Sequence, residues 1–170
     1  NHISVDLNGD HIATCSDDGR VIIHGLYSPE NNHNMSLGRV IKSVAIDPYF
    51  KSSTGFRFII GDNKLTLYEK SFFNRIKSTV LCECEGYVQA IAWQDRFVAW
   101  TGDIGVRVYD ITARCSLGLI KWETNASVPI EEYRCNLLWS SEKTLMIGWV
   151  DTVRICFIRK RHSLELQSKA

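Results

Sequence analysis

Two sets of residues have types and spacings that could do chemistry. The first is thiol and imidazole: six cysteines (Cys15, Cys82, Cys84, Cys115, Cys135, Cys156) and five histidines (His2, His11, His24, His33, His162). Cys82-x-Cys84 would put two thiols on one strand face, but no histidine or second cysteine pair lies near in sequence to complete a tetrahedral zinc set. The histidines are scattered without ligand spacing, which reads as structural or surface use. The chain also has no G-x-S-x-G, no phosphate-cradling glycine loop and no H-E-x-x-H. These residues describe a non-enzyme with no catalytic, metal or cofactor-binding residues.

The second set is the stretch from Glu69 to Ser78, where Lys70, Arg75 and Lys77 surround Phe72, Phe73 and Ile76. Cations beside exposed rings suit an acidic protein groove or a shallow contact with lipid headgroups. Phe73 and Ile76 could instead turn inward and cap the blade, leaving the cations merely solvated. Lys70, Phe72, Phe73, Arg75 and Lys77 are therefore the candidate partner or membrane contacts, on a loop expected to follow a strand.

What must position that loop is a repeated unit. Gly105-Val106-Arg107-Val108-Tyr109-Asp110 has weaker copies at Val21-Ile22-Ile23-His24, Leu65-Thr66-Leu67-Tyr68 and Val153-Arg154-Ile155-Cys156, each after a turn carrying Asp or Gly. Aliphatic residues two apart share a strand face, and Asp, Asn and Gly tolerate the turn geometry. The copies are 44, 41 and 47 residues apart. A second alignment agrees: Ile3, Val44, Ile91 and Leu137 correspond, as do Val5, Ile46, Trp93 and Trp139. Helical periodicity is almost absent. Short strands at this period are the mark of propeller blades, so the fold class is all-β, a β-propeller of degenerate repeats, about four blades of a larger ring.

The repeats fall at about 1–40, 41–85, 86–133 and 134–158, forming a partial propeller over 1–158, with 159–170 a charged tail or outer strand. Four blades do not ordinarily close a circle, so the outer faces of the first and last should be apolar and uncovered, with Ile3, Val5, Leu137 and Val153 on them. Alternating strand direction also sorts the charges. The end with the second-to-third turns collects Asp17, Asp18, Asp62, Glu83, Glu85, Asp103, Glu123, Glu131, Glu132 and Asp151, diluted by Arg20, Lys64 and Lys121. The opposite end collects Lys51, Lys70, Arg75, Lys77, Arg96, Arg114, Lys143, Arg159, Lys160 and Arg161, diluted by Glu30, Asp47, Glu69, Asp95 and Glu142.

Asp17-Asp18-Gly19-Arg20-Val21 and Val106-Arg107-Val108-Tyr109-Asp110 resemble WD repeats, with Tyr109-Asp110 standing where Trp-Asp would be. Gly86-Tyr87-Val88 replaces the usual Gly-His. Three longer stretches resemble the amino-terminal propeller of the vacuolar protein sorting forty-one family, found in the HOPS tethering complex. They are Ser71-Phe72-Phe73-Asn74-Arg75-Ile76-Lys77-Ser78, Gly105 to Ile111, and Leu145-Met146-Ile147-Gly148-Trp149. The resemblance implies a WD-type propeller followed, outside this chain, by an α-solenoid and a RING-like end. It implies tethering of late endosomes, autophagosomes and lysosomes before fusion. The partners it implies are the other HOPS tethering subunits and Rab or Arf-like small GTPases, with peripheral membrane contact. The place is cytoplasmic, on late endosome and lysosome membranes. The rival is a WD-repeat scaffold of another coat or signalling assembly.

Composition is consistent with this. Hydrophobic content of 45% with 23% charged residues is that of a globular domain. A net charge of +1 offers no field for nucleic acid. Cysteines placed mostly in strands, without C-x-x-C, suit a reducing compartment.

Overall fold

The computed structural model describes residues 1–51, 55–71, 73, 75–84, 86–122 and 133–159. Within them the chain forms four antiparallel sheets, ordered β1-β2-β3-β4, β5-β6-β7-β8, β9-β10-β11-β12 and β13-β14-β15. The strands of blade 1 are β1 (His2–Val5), β2 (His11–Cys15), β3 (Arg20–Gly25) and β4 (His33–Ser36). Blade 2 has β5 (Ser43–Ile46), β6 (Arg57–Gly61), β7 (Lys64–Lys70) and β8 (Ile76–Glu83). Blade 3 has β9 (Ile91–Gln94), β10 (Phe97–Gly102), β11 (Gly105–Asp110) and β12 (Cys115–Lys121). The described part of blade 4 is β13 (Asn136–Ser141), β14 (Thr144–Trp149) and β15 (Thr152–Phe157). Innermost strands of successive blades touch, β1 on β5, β5 on β9 and β9 on β13, so the sheets follow one another around an axis as propeller blades.

The period-2 alternation decides which neighbour each side chain meets. Val21, Leu65 and Val106 point toward the following blade and are 0–1% exposed. Val153 holds the same place in blade 4 but is 65% exposed, with nothing described packed against that face. Val44 and Ile91 point toward the preceding blade and are buried, whereas Ile3, their counterpart in blade 1, is 68% exposed. Each aliphatic side chain fully removed from water stabilises by about 1.5–3 kcal/mol, which drives the blades together.

One expectation fails by a single residue. Leu137 belongs to the column facing the preceding blade, and it packs with Val106, Leu145 and Ile147 in the seam between blades 3 and 4. The uncovered face of blade 4 is formed instead by Leu138, Val153, Ile155 and Phe157, 55–65% exposed. Leu138 pairs with Met146, and Met146 with Ile155, in one row across the sheet. A one-residue step along a strand exchanges the two faces.

Polar clasps between innermost strands lock the seams. Blade 1 donates from His2 Nδ1 to the Val44 carbonyl (2.9 Å), and Ser4 Oγ accepts from the Ile46 amide (3.0 Å). Blade 2 donates from Ser43 Oγ to Val88 (2.7 Å), and blade 4 from Trp139 Nε1 to Ala92 (3.1 Å). Gly61 is required here, because a Cβ would lie 2.6 Å from the Val88 side chain. Gly19, in the β2–β3 turn, has φ +81°, and a Cβ there would meet the Arg39 backbone at 2.7 Å.

Candidate partner-contact site

The β7–β8 connection is a hairpin, shorter than the sequence implies. β7 extends through Lys70 and β8 begins at Ile76, so Lys70, Ile76 and Lys77 lie on strands rather than in a loop. The ladder explains the extension: Glu69 sits opposite Lys77, and Lys70 opposite Ile76, and opposite charges or a β-branched partner favour continued pairing. The turn is closed by the Ser71 amide donating to the Arg75 carbonyl at 2.7 Å.

At the apex Phe73 is 86% exposed, and Ile76 is 45% exposed. Arg75 and Lys77 are exposed and Lys70 is half-buried. Phe72 lies outside the described residues. Phe73 therefore does not cap the blade. That task falls to a ring cluster the loop reading missed, in which Phe58 stacks on Tyr68 at 5.1 Å and meets Phe56 edge-on at 5.6 Å. Phe50 continues the cluster, and His11 and His33 contribute their rings to Phe50 and Phe56. The signal was present in Phe50, Phe56 and Phe58, but long-range ring contacts have no sequence period.

The β5–β6 loop lies beside this hairpin, since Lys70 donates its amide to the Phe56 carbonyl at 3.1 Å. It adds Tyr49, 53% exposed, and the exposed Lys51. Beneath these groups are shallow hollows of about 210 Å³, lined by His33, Phe56, Lys70 and Ile76, and about 370 Å³ between the two loops.

Charge pairing separates the two ends of the propeller. At the end with the second-to-third turns, Asp17 pairs with Lys42 (2.9 Å), Asp18 with Arg20 (3.3 Å), Glu83 with Lys64 (3.0 Å), and Asp62 with Arg39. The Lys42 bond holds the Asp17 carboxyl below its usual range, and the Ser16 hydroxyl does the same for Asp18. At the opposite end Arg57 pairs with Asp47 (2.6 Å) and Arg96 with Asp110 (2.5 Å). There Lys51, Lys70, Arg75 and Lys77 make no salt bridge or side-chain hydrogen bond with any described residue. Most described acids at the first end are neutralised locally, while these four cations are available to an outside anion.

The innermost strands carry the seams. Burial pushes the Cys135 thiol up to about 12, and burial with the neighbouring Cys82 pushes Cys84 up to about 11, so these sulfurs stay protonated at neutral pH. Among the described residues no group of three or more His, Cys, Asp or Glu could hold a metal ion. No described helix is long and apolar enough to cross a membrane.

Comparison with known proteins agrees with this architecture. A family model described as a Vps42 beta-propeller, the propeller of Vps41 proteins, matches residues 1–170. The chain is 38% identical over 167 residues to the vacuolar protein sorting-associated protein 41 homolog of Danio rerio, covering 98% of this chain and 19% of that protein. The Homo sapiens homolog is 36% identical with the same coverage, and the Arabidopsis thaliana homolog is 31% identical over 94% of this chain and 16% of its own length. The chain thus spans about a fifth of these relatives. Among solved structures, the Cps50 (Swd1) beta-propeller domain of Myceliophteria thermophila superposes with a TM-score of 0.69 at 12% identity, over 97% of this chain and 53% of that one. At that identity the likeness is one of fold. With its blades, degenerate repeats and full-length match, the chain belongs to the Vps41 beta-propeller family.

Proposed function

We propose that this propeller is a non-catalytic interaction module of a membrane-tethering subunit, acting in vesicle trafficking and fusion at late endosomes, autophagosomes and lysosomes or vacuoles. Family membership supports the setting, since the relatives are named for vacuolar protein sorting. The observation that carries the contact role is the blade 2 hairpin, where an 86% exposed Phe73 stands beside Arg75, Lys70 and Lys77 without intramolecular ion pairs among the described residues. A rigid sheet that holds an exposed ring and unpaired cations is built for contact: the ring contributes buried area on association and the cations steer an acidic partner. Residues 1–158 act as one unit, and their partners are the other HOPS subunits and Rab or Arf-like small GTPases. The module works in the cytoplasm, peripherally on late endosome and lysosome membranes. It uses no cofactor and binds no nucleic acid.

The test is capture of HOPS subunits and GTP-loaded small GTPases by the full-length protein. Lys70→Glu, Arg75→Glu and Lys77→Glu together should weaken capture and abolish its salt dependence. Unchanged capture at low and high salt would assign the hairpin to structure alone.

A further inference from the structure

The end of the propeller that bears the candidate contacts differs from blade to blade. In blade 2 its turns and flanking strand ends carry Lys51, Arg57, Lys70, Arg75 and Lys77 against Asp47 and Glu69, an excess of three positive charges. In blade 1 the equivalent turns carry Asp10 and Glu30 beside the Asp6–His11 pair, so that blade offers no cationic surface. In blade 3, Asp95 and Arg114 balance and Arg96 is taken up by Asp110. In blade 4, Lys143 and Arg159 stand against Glu142, an excess of one positive charge. The apolar tips divide differently from the charge. Tyr49 and Phe73 project from blade 2, and Leu7, Leu26 and Tyr27 from the equivalent turns of neighbouring blade 1, while the described turns of blades 3 and 4 at this end expose no large apolar side chain. Only blade 2 therefore joins exposed rings to an excess of cations.

We propose that blade 2 docks this end of the propeller on an anionic lipid bilayer, with blades 3 and 4 tilted away from it. This rests on the reading that the chain works at a membrane surface. The geometry favours a bilayer over an acidic protein groove. The two rings stand on separate loops, and only shallow hollows of about 210 and 370 Å³ lie beside them. A tight protein contact places an aromatic anchor in a fitted, desolvated pocket on one side or the other. Aromatic tips flanked by cations suit the bilayer interface instead. The Phe73 ring enters the acyl boundary, the Tyr49 hydroxyl stays at headgroup level, and the cations meet lipid phosphates and carboxylates. Lys70, half-buried along its stem, can extend its ammonium to that level.

The experiment is flotation of the full-length protein with vesicles of phosphatidylcholine containing about 30% phosphatidylserine, and with vesicles of phosphatidylcholine alone. Binding should require phosphatidylserine and weaken as salt rises. Each basic residue near such a surface contributes about fivefold, so reversing Lys70, Arg75 and Lys77 to Glu should reduce partition about a hundredfold or more. Phe73→Ala should reduce it about tenfold, with an unchanged Tm showing that the fold is intact. Arg114→Glu and Lys143→Glu, on the tilted blades, should stay within about twofold, because they lie beyond a Debye length of the surface. Equal binding to both vesicles, full binding by the triple variant, or equal loss from the blade 3 and 4 reversals would each overturn the proposal. Capture of GTP-loaded small GTPases by the same variants separates it from the broader reading. Loss of that capture without any vesicle binding would overturn the lipid contact and leave a protein contact standing. Vesicle binding that follows the expected order while capture is unchanged would support the lipid and remove the protein contact from this hairpin.

Discussion

The seam between blades 1 and 2 and the outer face of blade 4 are made from the same sequence pattern and have opposite fates. In the seam, Val21 and Ile23 of blade 1 meet Val44, Ile46, Phe58 and Ile60 of blade 2, all between 0 and 2% exposed. On the blade 4 face, Val153, Ile155 and Phe157 repeat the alternation and are 55–65% exposed. Neither surface is more apolar by composition. What differs is whether a neighbouring sheet is present to exclude water. An alternating strand specifies a face suited to burial, and the stabilisation arrives only with a partner.

The widest separation between the two regions should come from Phe58→Ala. Phe58 is fully buried, stacked on Tyr68 and crossed by Phe56, so its truncation should cost about 3–5 kcal/mol in denaturant unfolding. A cost below about 1 kcal/mol would mean the seam is loosely packed.

Next is the ion pair that closes the seam end. Asp47 is 2% exposed and is held by Arg57 at 2.6 Å, and Arg57 also lies 5.5 Å from the Trp93 ring of blade 3. Arg57→Ala leaves a buried carboxylate without its cation and should destabilise by roughly 3 kcal/mol. The double variant with Asp47→Asn should recover part of that loss, and no recovery would assign the effect to the Trp93 contact.

The comparison is sharpened by one substitution made at two equivalent places. Val106→Ala, in the seam between blades 3 and 4, should cost about 2 kcal/mol, whereas Val153→Ala should cost under about 0.5 kcal/mol. Similar values would show that Val153 is covered in solution. Sedimentation of the 170-residue chain tests the same point. Open faces and strand edges should make it self-associate, and Leu138→Lys with Ile155→Lys should shift it toward monomer. The smallest effect should be at the hairpin apex, where Phe73→Ala should leave stability within about 0.5 kcal/mol. A larger loss would place that ring inside the fold.

Much of this was legible in the amino acids. Val21, Leu65, Val106 and Val153 declare the repeat because a strand's side chains have period 2 and a blade recurs about every forty residues. Lys70, Arg75 and Lys77 were visible as a cluster because they are close in the chain. Three things were not legible. The step from Leu137 to Leu138 depends on which face meets blade 3, which strand alternation alone leaves undetermined. The hairpin's length depends on the ladder partners of Glu69 and Lys70. The inward turn of Phe50, Phe56 and Phe58, and the outward turn of Phe73, depend on the room left by neighbouring strands.

Strand order, turn chemistry and repeat were thus determined by local side-chain stereochemistry, which the sequence carries residue by residue. The tertiary structure decided which apolar faces are buried and which cations remain unpaired. Burial and ion pairing are properties of distances between residues far apart in the chain. Asp62 finds Arg39 and Asp17 finds Lys42 only because successive blades bring them together, whereas Arg75 and Lys77 close no salt bridge with a described residue, even though Glu69 lies across the ladder from Lys77.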